Sequence, residues 1–202
     1  GPMLMPNYYD AYTEVTQKNV PPGLKMMSVP KELQNDIKMI DSFGTFSVGV
    51  SNSGKIYVWG ETKIGTTGQD VKNIPGEVKN AKIVMAAAGI DHIIAIDENG
   101  KIYGWGNNRL GQFGTSSVME ANVNIEMMPI EIEEKGIDVD EIKRLECGYQ
   151  CTAILMNDGT LHLWGNRHAY ANMDNFLGDV EFVDVAFTLN YIVGIPEART
   201  SV

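Results

Sequence analysis

Short apolar runs separated by glycine turns set the pattern of the chain's middle part. Ile93-Ile94-Ala95-Ile96 ends at the polar turn Asp97-Glu98-Asn99-Gly100, and apolar character returns in Lys101-Ile102-Tyr103-Gly104-Trp105. Runs this short, rich in β-branched and aromatic residues, predict strands rather than helices. An N-G or D-G step between two such runs predicts a hairpin, because glycine adopts positive φ at little cost. The same turn recurs as Asn52-Ser53-Gly54 and Asn157-Asp158-Gly159. A further strand-like run, such as Lys82-Ile83-Val84-Met85-Ala86, precedes the hairpin. Three or four short strands in a unit of about 50 residues is the content of one propeller blade.

The units are copies of one another. Residues 37–60 (IKMIDSFGTFSVGVSNSGKIYVWG), 83–106 (IVMAAAGIDHIIAIDENGKIYGWG) and 142–165 (IKRLECGYQCTAILMNDGTLHLWG) align without a gap. Gly54, Gly100 and Gly159 fall in register, as do Trp59, Trp105 and Trp164, each followed by glycine. The linkers ahead of the first two units echo each other as Pro30-Lys31-Glu32-Leu33-Gln34-Asn35 and Pro75-Gly76-Glu77-Val78-Lys79-Asn80. A short helix from Pro30 to Ile40 is conceivable with Ser28 as cap and Pro30 in its first turn, but the repeat argues against it. Residues 182–195 read as the opening of a fourth unit, with Tyr191-Ile192-Val193-Gly194-Ile195 parallel to Phe46-Ser47-Val48-Gly49-Val50.

The second unit carries Gly89, His92, Gly100, Tyr103, Trp105, Gly106, Asn107, Gly111, Gln112, Phe113 and Gly114 in a spacing that resembles the regulator of chromosome condensation repeat. The third keeps Gly148, Gly159, Trp164, Gly165 and Asn166 but has Cys151 at the histidine position. The first keeps Gly54, Tyr57, Trp59 and Gly60, with Phe43 and Phe46 at the glycine and histidine positions. The resemblance implies an all-β fold, a partial or composite β-propeller of about four blades, and a packing role for His92 inside its blade. The blades are expected at 29–74, 75–141 and 142–179, with an incomplete one at 180–202. Residues 1–28 read as a cleavage remnant (Gly1-Pro2 ahead of Met3) and a tail or closing strand. Proteins of this family usually close a ring of seven blades, so an arc of four leaves sheet edges and an apolar flank to be covered. The N-terminal segment, a second chain, or the rest of a longer protein would each serve.

Charge narrows the partners. Twenty-six acidic against sixteen basic residues give a net charge of −10, and the longest basic cluster is Lys143-Arg144. Phosphate backbones are bound by clustered Lys and Arg, so neither nucleic acid nor an anionic membrane is expected, and a basic protein surface fits better. No apolar run approaches the roughly 20 residues that span a bilayer, and no secretory leader is visible. Cys147 and Cys151 lack a second ligand pair at zinc spacing and read as small buried hydrophobes, which suits an intracellular, cytoplasmic setting.

Catalytic chemistry has no visible candidate. The glycine-rich stretch 104–114 (GWGNNRLGQFG) lacks the Lys-Ser/Thr of a phosphate loop and the βαβ context of a dinucleotide site, so it reads as a blade turn. His162 alternates with leucines in a strand, and His168 lies in a loop. No nucleophile–base arrangement, metal set or cofactor site is expected.

The informative irregularity is an insertion. The second and third Trp lie 59 residues apart against 46 for the first two, and the excess falls within residues 115–141. That stretch holds eight acidic residues and one base, Lys135, together with Met119, Met127 and Met128. Acid with flexible Met suits a basic, adaptable partner, and loops carry recognition while blades stay fixed. Glu126, Met127, Met128, Glu131, Glu133 and Glu134 are the candidate contacts there. A second departure, residues 166–178, supplies Arg167, His168 and Tyr170, a composition common at interfaces. The expected function is a non-enzymatic protein–protein interaction scaffold. The alternatives are nucleotide exchange on a Ran-like GTPase, or a structural or inhibitory subunit of a larger, viral-type assembly.

Overall fold

The computed structural model describes residues 29–64, 69–114, 125–126, 132, 135–166 and 180–197. Each 24-residue unit folds as three antiparallel strands. The first is β1 (Ile37–Ser42), β2 (Phe46–Ser51) and β3 (Ile56–Gly60). After the small hairpin β4 (Lys63–Ile64) and β5 (Gln69–Asp70) comes the second, β6 (Ile83–Ala88), β7 (His92–Asp97) and β8 (Ile102–Gly106). The third is β10 (Ile142–Cys147), β11 (Cys151–Met156) and β12 (Leu161–Asn166), and the insertion adds β9 (Ile125–Glu126) to its outer edge. A fourth sheet consists of β13 (Phe182–Phe187) and β14 (Ile192–Pro196).

The repetition extends to detail that the letters alone conceal. The first strand of every unit carries a bulge at one position, between Ile37 and Met39, Ile83 and Met85, Ile142 and Arg144, and Phe182 and Asp184. One cross-strand backbone bond also recurs four times: Asn52, Glu98, Asn157 and Glu197 donate to the carbonyls of Asp36, Lys82, Glu141 and Glu181. Residues 182–196 therefore form a genuine fourth unit, in register with the other three.

Both linker echoes hold one helical turn, α1 (Lys31–Gln34) and α2 (Gly76–Asn80), each starting after a proline. Repetition thus preserves the turn instead of excluding it, whereas the longer helix to Ile40 is absent because β1 begins at Ile37. The turns share a cause: Leu33 and Val78, three residues past the prolines, are both buried.

The core lies between the blades. Strands β1, β6, β10 and β13 lie side by side in that order. The middle strand of each unit packs its apolar face on the first strand of the next. Phe46, Val48 and Val50 meet Ile83, Ala86 and Ala88. Ile94 meets Leu145 and Cys147, and Ile96 meets Ile142. Leu155 meets Phe182 and Val185. Burying one such aliphatic side chain contributes about 1.5–3 kcal/mol, so each junction outweighs any single turn. The turn glycines add a bond across each junction: the carbonyls of Gly54, Gly100 and Gly159 accept from the amides of Ile83, Ile137 and Phe182 at 3.0, 2.9 and 3.0 Å.

Candidate interaction site

One end of the blades gathers the features suited to recognition. It comprises the turns between first and second strands (residues 43–45, 89–91, 148–150 and 188–190) and the exits of β3, β8 and β12. Neighbouring turns are tied together, the amide of Ile90 donating to the Gly148 carbonyl at 3.1 Å. Tyr149 and Leu189 are exposed on these turns.

Glu126 pairs with Gly165 and Ile125 with Asn166, and Gly165 is itself the partner of Cys151. The acidic insertion is thereby rooted at the same end of the third blade as Tyr149, and the segment 167–179 leaves β12 beside it. The sequence marks both departures from the repeat as candidate contact regions. What it does not show is that their roots are joined, because two residues of strand pairing carry no periodic signal. Met127, Met128, Glu131, Glu133, Glu134, Arg167, His168 and Tyr170 lie outside the described residues, as does the segment 1–28.

Toward the axis, the first strands carry a charged cluster that the sequence reading missed. Asp41 accepts from the Ala88 amide at 2.9 Å, bridging the first two blades. Arg144 donates to both oxygens of Asp184 at 2.7 and 3.2 Å and to Glu146 at 3.3 Å. Burial and the nearby Asp41 charge push Glu146 up to about 7, against the smaller opposing pull of Arg144. Burial also raises Asp41. The signal was available: Asp41 and Glu146 share one strand position in the aligned units, where Ala87 and Ala186 stand in the others.

The histidines are placed differently. His92 is fully buried, and its Nε2 lies 2.9 Å from the Thr152 hydroxyl. That hydroxyl gives its proton to the Gln112 carbonyl at 2.7 Å, so Nε2 carries the ring proton and donates. Burial holds His92 down at about 3, neutral at any ordinary pH. Its partner belongs to the next blade, so the residue joins two blades instead of packing within one. His162 is half-buried, and burial lowers it. Cys147 and Cys151 are buried and not in a disulfide, as their small apolar character implied, and burial pushes the Cys147 thiol well up.

The glycine-rich stretch is a stapled turn. Asn107 donates to Asp91 at 2.8 Å, Phe113 donates to the Asn108 side chain at 2.8 Å, and Leu110 donates to that of Gln112 at 3.0 Å. The amides of Asn107, Arg109, Leu110, Gly111, Phe113 and Gly114 all donate to acceptors of the protein itself. Among the described residues, no group of three His, Cys, Asp or Glu is placed to hold a metal ion, and no helix is long and apolar enough to cross a membrane.

Antiparallel sheets repeated about an axis, each packing its middle strand on the first strand of the next, define an incomplete β-propeller. Residues 85–112 and 99–155 each match the Regulator of chromosome condensation (RCC1) repeat. The chain carries repeats of that kind within residues 85–155. Among solved structures, human WBSCR16 is similar at 21% identity and a TM-score of 0.58, over 84% of this chain and 47% of that one. Prp20p from Saccharomyces cerevisiae is similar at 20% identity and a TM-score of 0.56, over 80% and 43%. The CRINKLY WD40 ectodomain of the Arabidopsis thaliana receptor kinase ACR4 is similar at 17% identity and a TM-score of 0.51, over 80% and 46%. The chain spans just under half the length of each. No curated protein matches its sequence.

Proposed function

We propose that this chain is a non-enzymatic protein-interaction scaffold that takes a basic protein surface on the blade end bearing Tyr149. The carrying observation is the pairing of Ile125–Glu126 with Gly165–Asn166, which anchors the acidic, Met-bearing insertion to a rigid blade. Anchored roots lower the ordering cost that a free loop brings to binding. The net charge of −10 supports a basic partner by long-range attraction. One neighbour, seen in two solved structures, supports this reading: Prp20p is described with binding properties to Gsp1p and histones, and in the second structure Kap60 is bound to it.

A second reading is nucleotide exchange on a Ran-like GTPase, favoured by the likeness to Prp20p. That likeness lies in the blade framework and carries fold, not activity. Release of labelled GDP from such a GTPase separates the readings. The scaffold reading predicts no acceleration at catalytic amounts of the chain, and a clear acceleration there overturns it.

A further inference from the structure

The third blade departs from the first two at one turn on the recognition end. Thr45, Asp91 and Gln150 hold the same place in their units, directly ahead of the middle strand. In the first two units that side chain serves the blade itself, by holding the residue after the third-strand glycine. The Thr45 hydroxyl donates to the Glu61 carbonyl at 2.9 Å, and Asp91 accepts from the Asn107 side chain at 2.8 Å. In the third unit the corresponding residue, Asn166, is paired with Ile125 of the insertion. Gln150 makes no side-chain hydrogen bond to a described residue. Its φ of 59° is the only left-handed value outside glycine among the described residues. A long side chain is uncommon there, whereas glycine adopts that backbone readily. The turn does not demand it, since Thr45 and Asp91 make the equivalent turns outside the left-handed region. A strained residue whose side chain gives the blade nothing points to a contact with something else. Its neighbour Tyr149 is 39% exposed on the same turn.

We infer that the Tyr149–Gln150 turn takes an arginine side chain of the basic partner, its guanidinium stacked on the Tyr149 ring and donating to the Gln150 side-chain oxygen. The contact rests on the basic-protein reading above and adds the side chain that the surface selects. Arginine fits better than lysine for two reasons. A planar guanidinium stacks on an aromatic face and is weakly hydrated, whereas an ammonium is compact and holds its water. The guanidinium also carries five N–H donors, so one can meet the neutral amide oxygen while others stay available to carboxylates. The acidic insertion begins beside this turn: Glu126 pairs with Gly165, and Gly165 pairs with Cys151, the residue after Gln150. Net charge attracts any basic segment alike, and the ring and amide then discriminate between the two cations.

Fluorescence anisotropy of labelled nona-arginine and nona-lysine, each titrated with the full chain at one low salt concentration, tests it. The native chain is expected to bind nona-arginine about fivefold more tightly than nona-lysine. Tyr149→Ala and Gln150→Gly are each expected to cut that ratio to about twofold or less while leaving nona-lysine binding unchanged, and Tyr149→Phe is expected to keep it. Gln150→Gly suits the left-handed backbone, so its thermal midpoint is expected to match or exceed that of the native chain. Changing Glu126, Glu131, Glu133 and Glu134 to Gln is expected to weaken both peptides alike and preserve the ratio, which separates selection by the turn from attraction by charge. Equal binding of the two peptides by the native chain overturns the inference and leaves the basic-protein reading standing. A preference that survives both Tyr149→Ala and Gln150→Gly overturns it too, since arginine is then selected elsewhere. Binding of neither peptide overturns the inference together with the reading on which it rests.

Discussion

His92 shows how one buried side chain couples charge to assembly. Its folded pKa, about 3, lies far below the ordinary value of 6.5. A base whose folded pKa is depressed contributes stability that is full above about pH 6.5 and is lost as the pH falls toward 3. Between pH 6.5 and 5 the loss is about 2 kcal/mol. Glu146 acts in the opposite sense: its folded pKa is raised from 4.5 to about 7, so its contribution declines as the pH rises across that range. The test is therefore a difference between two proteins. His92→Phe places at this position the residue that the first unit carries as Phe46. The variant is expected to lose about 1 kcal/mol at pH 8 through the missing bond to Thr152, and to lack most of the acid-dependent loss. Denaturant titrations at pH 8 and pH 5 read both effects, and equal pH dependence in the two proteins refutes this role for the imidazole.

At the scale of elements, the turn glycines do more than permit a hairpin. Gly100 has φ +82, and a Cβ there would lie 1.8 Å from the Ile137 carbonyl oxygen. The next blade's linker is thus pressed against the bare backbone while its amide bonds to Gly100. Gly100→Ala combines left-handed strain with a backbone clash and is expected to cost about 2–4 kcal/mol. Gly76→Ala, at a helical position where a Cβ meets nothing within 4 Å, is the control and is expected to change stability by less than about 1 kcal/mol. Comparable losses in the two thermal unfolding curves contradict the junction role.

These examples mark what was legible in the letters. The strands and hairpins of the first three units followed from glycine and tryptophan register, since those residues are fixed by backbone geometry and recur at one spacing, and the opening of the fourth from the likeness of Tyr191–Ile195 to Phe46–Val50. The helical turns at Lys31–Gln34 and Gly76–Asn80 were obscured because one turn is too short for a 3.6-residue period to show, although Leu33 and Val78 were in matching places. The role of His92 between blades was hidden because its partner Thr152 is 60 residues away. The axial group of Asp41, Arg144, Glu146 and Asp184 was legible only in part: Asp41 and Glu146 share an aligned position, whereas the pairing of Arg144 with Asp184 joins two first strands 40 residues apart.

For the whole molecule, the proposed division of labour gives rigidity to the arc and recognition to its irregular segments. The packing of each middle strand on the next first strand fixes the blades, so Ile125–Glu126, paired with the end of β12, keeps one place relative to the turn bearing Tyr149. An acidic contact region on such a support gives binding that weakens with salt. The most direct test titrates the chain, and a variant with Glu126, Glu131, Glu133 and Glu134 all changed to Gln, against labelled core histones as a basic protein probe. The account predicts saturable binding by the native chain that weakens as salt is raised, and at least a tenfold loss (about 1.4 kcal/mol) in the variant. Equal affinity of the two proteins for the probe, or no binding by the native chain at low salt, contradicts it.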